Sequence, residues 1–246
     1  MKVLAIVQAR MGSTRLPGKV LMNIHGKPML SYLINSLKYS KLTDEIVIAT
    51  TSLPEDNPIE ILSKSLKVKC YRGHPVDVLD RYYQCSTLYE GDVIARLTAD
   101  NPIVIPELVD EIISLCKDSH CDYVTNALHR TYPLGIDVES FSFSTLKKLH
   151  ESQKDTLSRE HVTYHILQNL HLYNIKEILA PKDLMRPQWR LTVDHIEDFR
   201  LMSEILPQLL AKHDFLTYDE LVKFLDKNQE LIQLNQKYNP QGDHGL

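Results

Sequence analysis

The chain has 246 residues, of which 32 are acidic and 28 are basic, so its formal charge is −4. A hydrophobic fraction of 43% excludes a disordered protein, and eight glycines are too few for a collagen-like one. The net negative charge disfavours nucleic acid as a partner, because binding to a phosphate backbone needs excess cations. What remains is a globular chain with one large α/β domain or two small ones.

Strand and helix patterns alternate through the first half of the chain. Short apolar runs rich in β-branched residues predict buried strands at residues 3–7, 45–51, 67–71, 92–97 and 122–125. Apolar residues spaced along one face predict helices at residues 29–37, 59–66, 76–89 and 108–116, the last preceded by Pro106. This succession predicts right-handed βαβ crossovers and a mostly parallel sheet. Because ligands of such sheets bind outside the carboxyl ends of the strands, we expect the site in the loops that follow them.

The second half of the chain is less regular. Its patterns predict strands at residues 135–143, 172–178 and 189–193 and helices at residues 144–152, 158–170, 196–211 and 218–225. No Gly/Ser-rich or Pro-rich linker divides the sequence, so we predict one domain over residues 1–236. The last ten residues, 237–246, are polar and predict a flexible tail.

Targeting and metal motifs are weak in this sequence. The apolar stretch at the N-terminus spans only residues 3–7, which is too short for a signal peptide, and no stretch approaches the ~20 apolar residues of a membrane span. We therefore expect a cytoplasmic protein without a membrane partner. Cys116 and Cys121 lack the second close pair that a structural zinc site needs, so reduced thiols are predicted for the four cysteines.

The loop after the first strand is the most informative segment. It reads QARMGSTRLPGK from residue 8 to 19 and holds three cations, two glycines and two hydroxyls. Backbone N–H groups beside glycine can cradle phosphate oxygens while Arg and Lys neutralise the charge. Five residues separate Gly12 from Gly18 and Val20 follows Lys19, so this is not a P-loop, and no GxGxxG is present. A solvated basic loop is the alternative, but the position after the first strand favours an anionic ligand.

A family resemblance begins in the same segment. The stretch IVQARMGSTRLPGKVLMNIHGKPML resembles the N-terminal signature of the cytidylyltransferases that activate acidic sugars. It is most similar to the SpsF-type, spore-coat-polysaccharide branch, and more distantly to CMP-Kdo and acylneuraminate cytidylyltransferases. Further similar segments follow in order to about residue 202, namely VIATT, RGHPVDVLDRYYQ, RLTADNPIVIPELVDEII, YPLGIDVESFSFSTL, SREHVTYHI and RLTVDHIEDFRLM. The resemblance implies a nucleotidyltransferase fold, GT-A-like and Rossmann-like, with three layers around a mostly parallel sheet.

The implied reaction converts CTP and a sugar acid to a CMP-sugar and pyrophosphate, in surface polysaccharide biosynthesis. A hydroxyl of the acceptor attacks the α-phosphorus, so the protein mainly positions groups and stabilises charge. Relatives also imply Mg²⁺ as the cofactor, an acceptor-side or dimerisation extension at about residues 130–180, and a homodimer. A glycosyltransferase of the same fold and a non-catalytic nucleotide-binding module are the alternatives; the absence of an Asp-x-Asp motif near Asp100 weakens the first.

The resemblance assigns residues to the nucleotide. Arg10, Lys19 and Asp100 are the expected catalytic residues. The expected nucleotide-binding residues are Ala9, Arg10, Gly12, Ser13, Arg15, Lys19, Thr50, Thr51, Arg72 and Thr98. Arg72 either donates to the cytosine ring or is a surface charge, and the sequence leaves both interpretations open.

Two aspartates are the expected Mg²⁺ ligands. Asp100 follows the fourth strand, where relatives commonly read GDxP and this chain has Ala99; its alternative role is to form a turn with Asn101 and Pro102. Asp194 follows the predicted strand at 189–193, and its alternative role is a helix N-cap with Glu197 three residues later.

The acceptor side is assigned by resemblance to Asp137, Glu139, Arg159, Glu160 and His161. Alternation places Asp137 and Glu139 on one face of a strand, for which a solvated face is the other interpretation. His161 is either a general base or an ordinary helical histidine. Outside this set, Arg81 either pairs with Asp77 four residues earlier or points into the site.

Overall fold

The computed structural model describes residues 1–118, 121–211 and 213–238. The strands of these residues are β1 (Val3–Gln8), β2 (Asn23–Ile24), β3 (Lys27–Pro28), β4 (Glu45–Thr51), β5 (Lys69–Gly73), β6 (Val93–Thr98), β7 (Tyr123–Thr125), β8 (Glu139–Ser142) and β9 (Ile175–Glu177). Apart from the β2–β3 hairpin, they form one sheet in the order β5-β4-β1-β6-β8-β7-β9. Only β8 runs antiparallel to its described neighbours, so the predicted mostly parallel sheet is confirmed.

Helices cover both faces of this sheet. They are α1 (Met29–Leu37), α2 (Asn57–Ser65), α3 (Val78–Leu88), α4 (Pro106–Asp118), α5 (Phe143–Ser152), α6 (Thr156–Glu160), α7 (Tyr164–Gln168), α8 (Ile196–Leu209), α9 (Tyr218–Lys227) and α10 (Gln229–Ile232). Residues 3–7 of β1 are all apolar, as expected for a strand that is buried on both sides. Val3, Ala5 and Val7 face a core shared with α1, α4 and α8, whereas Leu4 and Ile6 face one shared with α3, α5 and α7. The result is the predicted three-layer α/β fold.

Two elements in the second half differ from the prediction. The helix predicted at residues 158–170 is interrupted between α6 and α7, where Val162 has a φ of 43°. The strand predicted at 189–193 is not a regular strand, because within the described residues its β-bridge is an isolated one, between Leu134 and Arg190. It is nevertheless firmly held: Leu134 and Leu191 form a further backbone hydrogen bond of 2.6 Å.

Gly135 lets the two segments joined by this bridge approach each other closely. Its φ is 106°, and a Cβ at this position would overlap the carbonyl carbon of Leu191 and the nitrogen of Thr192. A glycine is therefore required both by the backbone conformation and by the space. This contact fixes the segment that leads to Asp194.

The C-terminal part described by the structure packs against the domain. Lys237 and Tyr238, which the sequence places in a flexible tail, end a 3-10 helix at Gln233–Tyr238. Lys237 Nζ lies 2.9 Å from Glu197 Oε1, and the Tyr238 ring stacks on His195 at 3.8 Å. The rest of the predicted tail, residues 239–246, lies outside the described residues. No helix in the described ranges is long and apolar enough to cross a membrane.

Candidate active site

The carboxyl ends of four parallel strands meet at one edge of the sheet. β5, β4, β1 and β6 are neighbours in that order and run in the same direction. Their following loops carry most of the residues that the sequence assigns to the nucleotide. This edge is therefore the structural location of the candidate site.

The loop after β1 is organised around the peptide of Met11. The carbonyl of Met11 accepts hydrogen bonds from the N–H groups of Ser13 (2.8 Å) and Gly18 (2.9 Å), which closes the loop. Its own N–H donates to Asp56 Oδ1 over 2.7 Å. Gly18 has a φ of 72° and leads into a 3-10 turn that begins at Lys19. The loop thus returns the chain to the sheet edge with Lys19 pointing inward.

Lys19 lies at the centre of the site. Its side chain is only 9% exposed, and its Nζ donates to Val193 O (2.6 Å), Asp194 Oδ1 (3.0 Å) and Asp100 Oδ2 (3.2 Å). An ammonium has three N–H donors, so each of them has an acceptor. The two carboxylate oxygens are consequently no more than about 6 Å apart. The structure brings together the two aspartates that the sequence predicts as metal ligands.

Hydrogen bonds to the backbone carbonyl of Asp100 hold the segment before Asp194 next to Asp100. The N–H of Val193 donates to the carbonyl of Asp100 over 2.8 Å, and the Thr192 hydroxyl donates to the same oxygen over 3.4 Å. The segment at 189–194 is therefore pinned at Leu134 on one side and at Asp100 on the other. Asp194 reaches the edge of the sheet without belonging to a regular strand.

Three cations surround Asp194. Besides Lys19, Arg15 Nη2 lies 2.7 Å from Oδ1 and Arg190 Nη2 lies 2.8 Å from Oδ2. Burial alone would raise the pKa of Asp194, but Lys19, Arg190 and Arg15 outweigh it, and the pKa of this carboxyl lies below its usual value. Asp194 is thus held as a carboxylate.

Asp194 is not the N-cap of α8, which corrects one interpretation of the sequence. The N-cap is His195, and the reciprocating side chain is Asp198 rather than Glu197. Asp198 is fully buried, and its Oδ2 accepts from the N–H groups of Asp194 (2.9 Å) and His195 (2.8 Å). Its Oδ1 accepts from Arg190 Nε over 3.0 Å. The cap is made by Asp198, which leaves the carboxylate of Asp194 facing the site.

The other cations of the first loop are exposed. Arg10 makes no hydrogen bond or salt bridge with another described residue, and the Arg15 side chain is 59% exposed despite its contact with Asp194. Among described partners, the backbone N–H groups of Gly12, Thr14 and Arg15 have no acceptor. Exposed cations and free amides on one loop are the features that bind anions. Ala9 is buried and anchors the start of the loop through its N–H to Ala49 O (3.2 Å).

The threonines predicted beside the nucleotide are buried at the end of β4. Thr51 is 2% exposed, donates its hydroxyl to Asp56 Oδ2 and accepts from the Leu53 N–H over 3.1 Å. Thr50 is fully buried and its Oγ1 has no partner among the described residues. Thr98, at the end of β6, lines a narrow crevice together with Asn101 and Asp137. The structure therefore gives Thr51 a bracing role within the protein.

Arg72 is neither a free donor nor a surface charge. Its guanidinium donates to Thr51 O (3.0 Å), Leu53 O (2.7 Å), Asn57 Oδ1 (2.6 Å) and Glu60 Oε2 (3.0 Å). All three of its nitrogens are used to hold the turn after β4. Donation to a base by Arg72 would require the loss of one of these contacts.

The predicted acceptor-side charges are paired inside the chain. Glu139 begins β8 and binds Arg96 Nη1, Tyr123 OH (2.6 Å) and Thr163 Oγ1 (2.9 Å), so the solvated face suggested by its alternation is wrong. Asp137 lies before β8 rather than in it and pairs with Arg130 Nη1 at 2.9 Å. Burial raises the pKa of Asp137 despite this partner. Of the two acidic residues Asp137 and Glu139, Asp137 lines the crevice beside Thr98 and Glu139 does not.

The remaining acceptor-side residues lie around the start of α3. Arg159 binds the carboxylate of Asp77, with Nε at 2.7 Å, and donates to His150 O at 3.1 Å. Arg81 therefore does not pair with Asp77; it is 2% exposed and donates to the carbonyls of His74 (2.9 Å) and Pro75 (3.0 Å). Desolvation lowers the pKa of Arg81. Glu160 is half-buried and His161 is exposed, and no hydrogen bond joins either side chain to a described residue.

Sequence reasoning missed the residues that hold the site residues in place, namely Asp56, Arg96, Arg190 and Asp198. A signal existed for two of them, because Arg190, Asp194 and Asp198 are spaced four apart. Asp56 carries no such signal, since it follows Thr51 in an irregular turn. Buried partners of this kind are found from tertiary contacts and not from local patterns.

No group of three or more His, Cys, Asp or Glu side chains in the described ranges is arranged to hold a metal ion. The carboxylates of Asp100 and Asp194 nevertheless offer the oxygen donors that Mg²⁺ prefers. Mg²⁺ commonly binds one or two protein carboxylates and completes its shell with water and substrate phosphates. This pair therefore fits a Mg²⁺ ion carried by a triphosphate better than an ion held by protein alone.

Comparisons with known proteins identify the family of this chain. Residues 4–239 match the family model described as cytidylyltransferase. An uncharacterized protein of Methanocaldococcus jannaschii is 40% identical over 96% of this chain and 95% of its own length. The spore coat polysaccharide biosynthesis protein SpsF of Bacillus subtilis is 34% identical over 93% of this chain and 95% of its own.

More distant sequences and a solved structure extend the comparison. The 3-deoxy-manno-octulosonate cytidylyltransferase of Bdellovibrio bacteriovorus is 31% identical over 48% of this chain and 47% of its own. The structure of a cytidylyltransferase from Leptospira borgpetersenii has a TM-score of 0.89 at 31% identity, over 95% of this chain and 97% of that one. The family match spans nearly the whole chain and includes every residue of the candidate site, so this protein belongs to the cytidylyltransferase family of nucleotidyltransferases.

Proposed function

We propose that this enzyme transfers CMP from CTP to a sugar acid in a Mg²⁺-dependent reaction that yields a CMP-sugar and pyrophosphate. We further propose that it acts in the cytoplasm as a homodimer and serves surface polysaccharide biosynthesis. The single observation that carries the proposal is the position of Lys19, which lies between Asp100 and Asp194 at the base of a loop with exposed cations. The names of the related proteins, a spore coat polysaccharide biosynthesis protein and a 3-deoxy-manno-octulosonate cytidylyltransferase, support cytosine as the base and a sugar acid as the acceptor.

The first loop supplies the triphosphate contacts in this proposal. Arg10 and Arg15 are exposed and the amides of Gly12, Thr14 and Arg15 have no described acceptor, so phosphate oxygens can bind without breaking internal contacts other than Arg15–Asp194. The hydroxyl of Ser13 adds a further donor. Such preorganised donors stabilise the charge that builds up on the pyrophosphate leaving group.

Asp100 and Asp194 would hold the Mg²⁺ ion. When bound, the ion neutralises phosphate charge and fixes the in-line geometry of the displacement. Because all three donors of Lys19 are used by Val193, Asp194 and Asp100, Lys19 must give up at least one of them to contact a phosphate. We assign Lys19 to orienting the two carboxylates and, after this exchange, to the triphosphate.

The acceptor side is shaped by residues that are already paired. Glu139 and Arg159 are tied to Arg96 and Asp77, so neither charge is free for an acceptor without the loss of an internal ion pair. Asp137 lines the crevice next to Thr98, and we assign it to accepting from an acceptor hydroxyl. The extension exposes Leu157, Leu170 and Leu172 to between 41% and 62%, and we propose that a second copy of the chain covers this apolar surface.

A pyrophosphate-release assay tests the proposal. The purified enzyme is incubated with each of the four NTPs, Mg²⁺ and a panel of sugar acids, with the corresponding neutral sugars as matched acceptors. We expect pyrophosphate only with CTP and at least one sugar acid, and no release after addition of a chelator. Product from a neutral sugar alone, or from another NTP in preference to CTP, would contradict the assigned substrate. CTP binding without any product would identify a non-catalytic nucleotide-binding protein.

The metal assignment is tested with two substitutions at the site. Asp100→Asn and Asp194→Asn each remove a charge but preserve size, so both should lower kcat by at least about a hundredfold if the carboxylates stabilise the metal and its phosphates. Asp92→Asn at the opposite edge of the sheet is the control. Turnover that survives Asp100→Asn would show that the metal is held elsewhere.

A further inference from the structure

The shape of the anion-binding loop depends on one peptide. Met11 closes the loop by accepting from Ser13 and Gly18, and the only hydrogen bond that its N–H makes within the described chain goes to Asp56. Displacement of Met11 would therefore move both closing contacts together. The exposed amides of Gly12, Thr14 and Arg15 follow directly after this peptide, so their positions are set by it.

Asp56 is an unusual residue at this position. It is fully buried, yet no Lys, Arg or His of the described ranges lies within salt-bridge distance of it. Its Oδ1 accepts from Met11 N–H over 2.7 Å, and its Oδ2 accepts from the Thr51 hydroxyl. A buried carboxylate is costly unless its oxygens are hydrogen-bonded, so both contacts are needed to keep it there.

The two contacts join separate parts of the sheet edge. Thr51 is the last residue of β4, and Met11 lies in the loop after β1, next to it in the sheet. Asp56 stands in the 3-10 turn at Pro54–Asp56, which Arg72 holds through Leu53 O over 2.7 Å. The turn that holds the Asp56 carboxylate is therefore fixed by Arg72, and this carboxylate in turn fixes the Met11 peptide of the first loop.

We propose that Asp56 is the positioning residue of the nucleotide site, because it fixes the Met11 peptide and with it the phosphate-binding amides of loop 10–18. The inference rests on the proposed function for its consequence, which is CTP affinity. The restraint on the loop itself is a property of the nucleotide-free protein. The two can thus be measured separately.

Three variants separate the two contacts of Asp56, which are those with the Met11 N–H and with the Thr51 hydroxyl. Asp56→Ala removes both acceptors, and Asp56→Asn keeps one carbonyl oxygen for Met11 N–H. Thr51→Val removes the hydroxyl that donates to Asp56 and accepts from the Leu53 N–H. Loss of a hydrogen bond to a charged group predicts a rise of about ten- to a hundredfold in the Kd for CTP with Asp56→Ala. Asp56→Asn should restore much of this affinity, and Asp56→Ala combined with Thr51→Val should be no weaker than Asp56→Ala alone.

Hydrogen exchange of the nucleotide-free protein gives the second readout. We expect faster exchange throughout residues 10–18 in Asp56→Ala, with protection partly regained in Asp56→Asn. KM for CTP should rise more than kcat falls, since the residue acts through the binding loop. Thr51→Val removes only one of the two contacts of Asp56, so residues 10–18 should exchange faster than in the wild type, and this variant tests the inference if Asp56→Ala does not fold.

Asp110→Ala is the matched control. Asp110 also clamps a turn, accepting from Ser40 Oγ (2.6 Å), Lys41 N–H (2.9 Å) and Leu42 N–H (3.0 Å), but this turn precedes β4 at the opposite edge of the sheet. The Asp110→Ala substitution should lower the melting temperature without changing the affinity for CTP. Equal CTP affinity in wild type and Asp56→Ala, or unchanged exchange in loop 10–18, would overturn the inference. A wild-type protein that fails to bind CTP would instead refute the proposed function and leave the exchange result interpretable.

Discussion

Lys19 and Asp194 are 175 positions apart in the sequence, yet Lys19 Nζ lies 3.0 Å from Asp194 Oδ1. Both side chains are largely buried, and Asp100 shares the same ammonium. Removal of a single partner from a buried ion pair leaves an uncompensated charge, which costs more than the pair itself contributes. Lys19 is therefore expected to influence stability as well as catalysis.

Lys19→Met tests this double role. Without the ammonium, the carboxylates of Asp100 and Asp194 face each other, and we expect the free energy of unfolding in metal-free buffer to fall by about 3 kcal/mol. Added Mg²⁺ should recover part of this loss, because a ligand that binds only the folded state stabilises it. Denaturant unfolding with and without Mg²⁺ measures both effects. The exposed pair Lys64–Glu60 supplies the control Lys64→Met, which should cost less than about 1 kcal/mol. Wild-type stability in Lys19→Met would be the contrary result.

Arg10 should behave in the opposite way. It is exposed and has no hydrogen-bond or salt-bridge partner among the described residues, so Arg10→Ala should leave the melting temperature unchanged. If it contacts the triphosphate, the Kd for CTP should rise about tenfold or more, as expected for a charge-assisted hydrogen bond. Calorimetric titration with CTP gives the affinity. An unchanged affinity would remove Arg10 from the nucleotide site.

The strands and the first loop illustrate how much of this structure the sequence can predict. Apolar runs predicted the five first-half strands of the main sheet to within about two residues, because a buried strand leaves a local signal, but not the short hairpin strands β2 and β3. The rule that ligands bind at the carboxyl ends of such strands then located the first loop and Asp100. The mostly parallel α/β sheet and the edge at which a ligand is expected follow from local patterns, whereas the nucleotidyltransferase fold and the residue roles came from the family resemblance.

The internal partners of the site do not follow from such patterns. The contacts of Glu139 with Arg96 and of Arg159 with Asp77 join residues 43 and 82 positions apart, so no spacing rule finds them. The segment at 189–193 carries a strand-like sequence, but its hydrogen bonds go to Leu134 and Asp100 instead of to a neighbouring strand. Tertiary docking, rather than propensity, decides these elements.

The pKa of Asp194 predicts a specific dependence of stability on pH. Its folded pKa lies below the value of an unfolded aspartate, about 3.9, so the ionised form favours the folded state. This contribution is fully present above the unfolded pKa and is lost as the pH falls through the folded one. The difference in unfolding free energy between wild type and Asp194→Asn should therefore be constant above about pH 5 and decrease below about pH 4.

Asp137 should show a pH dependence of stability opposite in sign to that of Asp194. Burial raises its folded pKa, so its ionisation opposes folding as the pH rises through the unfolded value. The difference between wild type and Asp137→Asn should shift against the wild type on going from pH 3 to neutral pH. Urea unfolding across this range measures both variants. A pH-independent difference for Asp194→Asn would show that its cations do not set its charge.

Gly135→Ala tests how the segment bearing Asp194 is held in place. Gly26 is the control, because it also has a positive φ, of 86°, but a Cβ there would meet no atom within 4 Å. Gly26→Ala should cost only the backbone strain, about 1 kcal/mol. Gly135→Ala adds the overlap with Leu191 and Thr192, which should cost about 1–3 kcal/mol more and push the 189–194 segment away from the sheet edge. Since Val193 and Asp194 both contact Lys19, turnover should fall far more than in Gly26→Ala even where Gly135→Ala remains folded. Equal turnover in the two variants would mean that Asp194 reaches the site independently of this close approach.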